Sequence, residues 1–520
     1  MYGSRKDGLL QGKTSLRNTY KNNTMKYLLY LLSSLFVLAG CGPDNSQTSL
    51  QMELSVDTPQ LEFPAEGGEQ TFMVTSSEQF YLVPGDKWLT VKKGAKVGGY
   101  QTPVTVTVEK MTVAEDRKTR ISVVSGEDKI YVDVIQTFDD GEDVGNIDQP
   151  AQTMGIGWNL GNHFDAYSNG VSGETVWGNP KASQATFNKV RAAGFSTVRI
   201  PVTWMGHIGE APDYKISEAW LDRVAEVVGY AENAGLFVIL NMHHDGADSN
   251  HWLDIKTAAK DPEVHEQIKE QIAAMWSQIA DKFQDKGDFL IFEAFNEIHD
   301  GGWGWGDNRK DGGKQYQCLN EWNQTFVDAV RGAAGENNRN RMLGIPAYCT
   351  NVDIAVENFV MPKDVVKDRM MMAVHCYDPY DYTLPANKSE WGHTASASKK
   401  VAGNNEADLE KVFIKLYDNF VSKGIPVYMG EFGCVNRATA REQAFQQYYF
   451  RYYAKLSKMY GVPSILWDNG AKGHGNERHA FIDHGTGQFC SKEAEAAIKA
   501  LIDSYNNDLT LEQVYNNAPK

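Results

Sequence analysis

The fold class that the sequence predicts is α/β: a (β/α)8 barrel preceded by a small all-β, immunoglobulin-like sandwich. Three patterns predict it. From about Asp148 onward, eight short apolar runs alternate with amphipathic stretches of helical period, the order that builds a parallel barrel. Six of those runs end in polar residues, as at the C-terminal rim where barrels of this kind carry their functional side chains. Upstream, residues 53–138 switch to period-two alternation broken by glycine turns, the pattern of a short-stranded antiparallel sandwich.

The chain begins with a segment that belongs to no fold. Met25-Lys26 precedes an apolar run over 27–39, too short for a membrane span, which needs about 20 residues. The run closes in Leu38-Ala39-Gly40-Cys41, which resembles the lipobox of bacterial lipoproteins. That resemblance implies cleavage before Cys41 and lipidation of its thiol. It makes 1–40 an extension plus signal peptide, with Met25 as a candidate start. The implied location is that of an exported lipoprotein at the outer membrane, exposed at the cell surface or facing the periplasm.

The formal net charge is −16. Loss of 1–40 removes six Lys or Arg and one Asp, which deepens it from −16 to −21. So acidic a surface argues against nucleic acid or an anionic membrane surface as the main partner. A lipid on Cys41 is then the only predicted membrane link. The remaining cysteines, Cys318, Cys349, Cys376, Cys434 and Cys490, are odd in number and widely spaced without a C-x-x-C, so they read as free thiols.

Taken in order, 41–52 is a polar tether. The sandwich, 53–138, has its clearest strands at 70–74, 104–108, 120–124 and 129–135. Leu61-Glu62-Phe63 followed by Gly67-Gly68, Trp88-Leu89-Thr90-Val91 and the closing Val134-Ile135-Gln136 resemble the BACON domain of Bacteroidetes surface proteins. The resemblance implies carbohydrate association or a spacer. No exposed aromatic row is legible, which favours the spacer. Residues 139–147 form an acidic, glycine-punctuated linker, and the barrel domain occupies 148–510. Its strands are expected at 155–160, 197–201, 237–241, 289–293, 342–346, 371–375, 426–430 and 464–467, with clear helices at 220–228 and 268–283. A doubly wound open sheet is the structural alternative, but no G-x-G-x-x-G follows the first strand.

The polar run ends are Arg199, His243-His244-Asp245, Asn296-Glu297, His375-Cys376-Tyr377, Glu431 and Trp467-Asp468-Asn469. Glu297 and Glu431 each close a strand, and a carboxylate pair flanking one bond is what glycoside hydrolysis requires. His243-His244-Asp245 also has the residue types of a metal set, yet no H-E-x-x-H is present, and neither a metal nor another cofactor is expected. The loop Gly301-Gly302-Trp303-Gly304-Trp305-Gly306-Asp307 lacks the Gly-Lys-Ser/Thr of a phosphate cradle. Two readings of it stay open, a sugar-stacking wall beside the bond to be cleaved or ordinary loop packing. The same choice applies to Trp177 and Trp252.

Together, Gly157-Trp158-Asn159-Leu160-Gly161-Asn162, Val198-Arg199-Ile200-Pro201, Asn241-Met242-His243-His244, Phe295-Asn296-Glu297, His375-Cys376-Tyr377-Asp378-Pro379-Tyr380, Gly430-Glu431-Phe432-Gly433 and Trp467-Asp468-Asn469-Gly470 resemble glycoside hydrolase family 5. Within it they are most similar to the subfamily 4 endoglucanases. The resemblance implies a retaining endo-β-1,4-glucanase acting on β-linked plant polysaccharides, with Glu431 as nucleophile and Glu297 as acid/base; the chain is expected to be monomeric. It further implies that Asn296 binds the sugar 2-OH, that His375 bonds near the acid/base, that His243 contacts the same sugar and that Trp467 forms its floor. His244 is either a sugar contact or a packing residue. Arg199 and Tyr377 should favour an ionised Glu431, while an apolar setting and the Glu431 charge should raise the Glu297 pKa. Cys376 stands where many relatives carry an aromatic. The same chemistry serves xyloglucan, mixed-linkage glucan, mannan and xylan, and a non-catalytic glycan-binding lipoprotein is the rival from another class.

Overall fold

The computed structural model describes residues 53–138, 153–246 and 252–520. The signal, Cys41, the tether and the linker 139–147 lie outside the described residues.

Two four-stranded sheets build the sandwich. One has the order β1 (Ser55–Val56), β3 (Gly68–Thr75), β6 (Gln101–Val108), β5 (Leu89–Lys93); the other runs β2 (Gln60–Phe63), β8 (Asp128–Gln136), β7 (Arg117–Ser125), β4 (Tyr81–Pro84). Alternate residues such as Phe72, Val74, Val104, Val106, Val123 and Val132 point inward and are fully buried. Gln136 is also fully buried, because its amide donates to the carbonyls of Pro64, Ala65 and Glu109 at 2.8, 3.2 and 3.1 Å. The pairing departs from the predicted all-antiparallel scheme at one place: β2 lies parallel to β8. After β1 the chain crosses to the other sheet, so no hairpin reverses β2 against its neighbour. A second departure is the exposed pair Tyr81 and Tyr131 on strands β4 and β8. Strand β4 escapes sequence detection because Tyr-Leu-Val-Pro shows no polar alternation and ends in a proline, tolerated there at a sheet edge.

The barrel closes as predicted. Its strands are β9 (Ile156–Asn159), β12 (Thr197–Ile200), β13 (Phe237–Asn241), β14 (Leu290–Glu293), β15 (Leu343–Pro346), β16 (Met370–Cys376), β17 (Val427–Phe432) and β18 (Ser464–Leu466), each parallel to the next, with β18 returning to β9. A small hairpin, β10 (Tyr167–Ser168) and β11 (Val171–Ser172), follows the first strand. The crossovers carry helices α1 (Gln184–Ala192), α2 (Glu218–Asn233), α3 (Pro262–Lys282), α4 (Lys314–Gly332), α5 (Val352–Asn358), α6 (Glu406–Asn419) and α7 (Ala440–Met459), and α8 (Lys492–Asn506) follows β18. Their starts are chemically marked: Asp261 caps α3 with Pro262 in the first turn, and Thr439 and Glu442 form a capping box on α7.

Helical packing goes on past the predicted boundary at 510. A further helix, α9 (Leu511–Asn516), lays Val514 into the barrel's apolar cluster, and Ala518 just beyond it joins the same cluster. Inside the barrel the lower layer is apolar, filled by Ile239, Ile291, Met371, Ala373 and Ile465 together with Met154 and Met342. The sandwich touches this lower end, where Met111 and Ala114 pack with Val365 and Val366 just ahead of β16. Above the apolar layer the interior turns polar.

Candidate active site

That polar layer is organised by Arg199, near the end of β12 and fully buried. A guanidinium has five N–H donors, and a buried one must place them all. Here Nη1 donates to Glu431 Oε1 at 2.8 Å and Asn159 Oδ1 at 3.1 Å. Nη2 donates to Glu293 Oε1 and Asn296 Oδ1, both at 2.7 Å, and Nε bonds the two oxygens of Glu293 at 3.2 and 3.1 Å. One cation therefore serves two carboxylates.

The two carboxylates fare differently. Burial pushes the Glu293 carboxyl up, but Arg199 and a 2.6 Å bond from Tyr428 Oη bring it below its ordinary value; Asn241 Nδ2 also donates to it, at 2.8 Å. For Glu431, burial prevails: the carboxyl is raised, with the Glu297 charge adding to the rise, against the opposing effects of His375, Arg199 and a 2.9 Å bond from Tyr377 Oη. Arg199 and Tyr377 thus act in the expected direction without winning, since burial outweighs them and Arg199 places only one of its six hydrogen bonds on Glu431 and three on Glu293.

Strand register brings the second carboxylate in. A register irregularity between Val374 and His375 sets His375 directly beside Glu431 across β16 and β17. His375 Nδ1 lies 2.7 Å from Glu297 Oε1 and 3.9 Å from Glu431 Oε2. Burial pushes the imidazole down to about 4, so it is neutral at neutral pH. One oxygen of Glu297, one of Glu431 and a His375 nitrogen lie within 4.8 Å of one another. Thr350 Oγ1 approaches Glu297 at 3.5 Å from the opposite strand neighbour. Retaining glycosidases hold their carboxyl groups about 5–5.5 Å apart, whereas inverting ones need about 6.5–9.5 Å to admit a water. The spacing is of the first kind.

Around the pair, hydrogen-bond logic orients the donors. The Val202 N–H can only donate, so Asn241 turns its Oδ1 to it at 3.1 Å and offers Nδ2 to His243 Nδ1 at 3.3 Å. The His243 proton then sits on Nε2, which lies 4.0 Å from Glu431 Oε1. Asn296 likewise spends its oxygen on Arg199, which turns its NH2 donors elsewhere. Trp467 lies parallel to the His243 ring, with centroids 6.0 Å apart. Gly161 permits that indole: a Cβ there would meet Trp467 Cζ2 and Cη2 at 2.8 Å.

The cellulase model, glycosyl hydrolase family 5, matches residues 161–473. The chain belongs to glycosyl hydrolase family 5. Endoglucanase A of Paenibacillus barcinonensis is 35% identical, over 70% of this chain and 87% of its own. Among solved structures, a GH5-4 broad specificity endoglucanase from Bacteroides salanitronis superposes with TM-score 0.67 at 55% identity, covering 69% of this chain and 94% of that one. A Bacteroides ovatus GH5 xyloglucanase in complex with a XXXG heptasaccharide gives 0.62 at 31% identity, over 88% of this chain and 100% of that one.

In this family 5 glycosidase the structure brings Arg199, His243, Asn296, Glu297, His375, Tyr377, Glu431 and Trp467 into one cleft. His244 stands at its mouth, edge-on to His243 and near Tyr167 and Trp177, with Nε2 3.9 Å from Asp165 Oδ2. Asp245 is a structural acceptor: it takes hydrogen bonds from the backbone N–H groups of Trp204 and Met205 and from Trp252 Nε1. Trp252 is thereby a packing residue, half-buried, whereas Trp177 is exposed. Cys376 is buried, with its thiol 3.9 Å from Asp378. Among the described residues no disulfide joins the cysteines 318, 349, 376, 434 and 490. Sequence reasoning missed Glu293 and Tyr428. A charged residue closing an otherwise apolar strand was their signal, since it demands a buried cation.

Proposed function

We propose that this chain is a retaining endo-β-1,4-glucanase that cleaves internal bonds of β-glucans through a covalent glycosyl-enzyme. The observation that carries the reading is the short spacing of Glu297 and Glu431. Glu431 Oε attacks the anomeric carbon while the bond from that carbon to the glycosidic oxygen breaks, and Glu297 delivers its proton to the departing oxygen. Glu297 then takes a proton from water, whose oxygen displaces the Glu431 carboxylate. Tyr377 Oη, raised well above its ordinary pKa by burial and by Glu431, stays a donor to the nucleophile. Asn296 Nδ2 and His243 Nε2 are the donors for the hydroxyls of the attacked sugar, and Trp467 is its floor. The xyloglucanase likeness over most of both chains supports a second reading, endo-xyloglucanase. Cys41 and the small sandwich support export as a lipid-anchored protein with the barrel held away from the membrane.

A reducing-sugar assay over soluble cellulose, mixed-linkage glucan, xyloglucan, xylan and mannan tests this. Wild type should act on one or more of the three glucans. Glu431→Ala should lose at least about 10⁴-fold and Glu297→Ala about 10²–10⁴-fold while both stay folded. Wild-type turnover in either variant contradicts the roles.

A further inference from the structure

Among the described residues, nine other than glycine take a positive φ, and Cys349 at 53° and Thr350 at 45° are the one adjacent pair. Thr350 is also the one β-branched residue of the nine. The left-handed region crowds a side chain against its own backbone, and a branched Cβ worsens the crowding. Such a residue persists only where its surroundings hold it. Here they do. Just past β15, the Cys349 N–H donates to the Ile298 carbonyl at 2.9 Å and the Thr350 N–H to the Ala347 carbonyl at 2.8 Å. Before the turn, Tyr348 Oη donates to Gln315 Oε1 at 2.6 Å; after it, Asn351 caps α5, its Oδ1 accepting from the Ile354 N–H at 3.0 Å. Ile354 in turn abuts Gly304, in the loop whose Trp303 and Trp305 are exposed.

What the turn holds in place is a buried hydroxyl. Thr350 Oγ1 stands 2.8 Å from the Cys349 carbonyl and 3.5 Å from Glu297 Oε1. A hydroxyl has one hydrogen, so these two acceptors share it, and catalytic bonds that are long without substrate often tighten with it. His375 Nδ1 reaches the same Oε1 from β16, at 2.7 Å. Two neighbours, one past the end of β15 and one on β16, thus engage a single oxygen of the carboxyl. Engaging Oε1 from two directions fixes the carboxyl plane and with it the direction of Oε2. A proton is handed over efficiently only along a well-aimed O–H, so that direction governs the transfer. The Cys349–Ile298 bond ties the strained turn to the residue that follows Glu297 in the chain.

We infer that Thr350 is a positioning residue for the proton transfer: its strained turn brings Oγ1 to Glu297 Oε1 and, with His375, orients Oε2 to hand the proton to the departing sugar. The inference rests on Glu297 being the acid/base of a β-glucanase. Phenyl and 2,4-dinitrophenyl β-cellobioside test it, since phenolate needs a proton to leave and dinitrophenolate does not. kcat/KM ends at the first bond broken, so the later, base-assisted step does not enter. Thr350→Val keeps the shape and loses the hydroxyl, whereas Thr350→Gly loses the hydroxyl and relieves the backbone. Both should lose about tenfold in kcat/KM on the phenyl glycoside and stay within about twofold on the dinitrophenyl one. Thr350→Ser should restore most of the phenyl activity. Val and Gly make opposite demands on the backbone, so a loss common to both belongs to the hydroxyl. Equal losses on both substrates, wild-type phenyl hydrolysis in Thr350→Gly, or a Thr350→Ser as slow as Thr350→Val would overturn the role and leave the glucanase reading standing. Glu297→Ala is the reference: it should fall steeply on the phenyl glycoside and little on the dinitrophenyl one. Equal falls there would overturn the acid/base assignment itself.

Discussion

The two layers inside the barrel are built from the same strands to opposite ends. In the lower layer Ile239, Ile291, Met371 and Ile465 pack into one buried apolar cluster. One layer up, those strands and their neighbours hold Arg199, Glu293, Asn241 and Glu431, all buried and tied into one network. Tyr428 joins the two: its ring belongs to the apolar cluster and its hydroxyl bonds Glu293. Burying apolar area stabilises the fold at little cost, whereas a buried ion network roughly breaks even at best. The lower layer therefore holds the barrel together, and the upper layer is tolerated for chemistry.

Substitutions can break that division. Arg199→Ala strands two buried carboxylates and should cost about 3–5 kcal/mol of unfolding free energy as well as activity, measured by denaturant titration and turnover. Ile239→Ala, in the lower layer, should cost about 2–5 kcal/mol yet keep kcat within a few-fold below its melting transition. Equal damage to turnover from both would mean that the layers are not separable. The smallest effect concerns pH. Because the Glu431 carboxyl is raised, it takes up its proton at higher pH as acidity increases, and the acid limb of kcat/KM should lie above the range in which an ordinary glutamate titrates. Glu293→Gln frees Arg199 to act on Glu431 alone, so the carboxyl falls and the limb should move to lower pH. An unmoved limb would show that the sharing of Arg199 does not govern the nucleophile.

Much of this was legible in the chain itself. Apolar runs and their polar ends located all eight barrel strands, because parallel strands buried on both faces leave a continuous hydrophobic signal. Their ends were less legible: Glu431 and Phe432 lie within β17, past the predicted 430, since the strand continues to pair with β16. Glu293 was hidden because its meaning depends on a cation 94 residues away in sequence. Trp177, Trp252, Trp303 and Trp305 look alike in sequence, and only the partners of each indole sort packing from presentation. In the sandwich, the short β1, β2 and β4 carry too few residues for a period to emerge.

The central claim is that Glu431 and Glu297 sit close enough for a covalent, two-step displacement. Proton NMR of the anomeric signals in the first minutes of oligosaccharide cleavage reads this directly. Retention predicts β-anomers at the new reducing end before mutarotation, and initial α-anomers would contradict it.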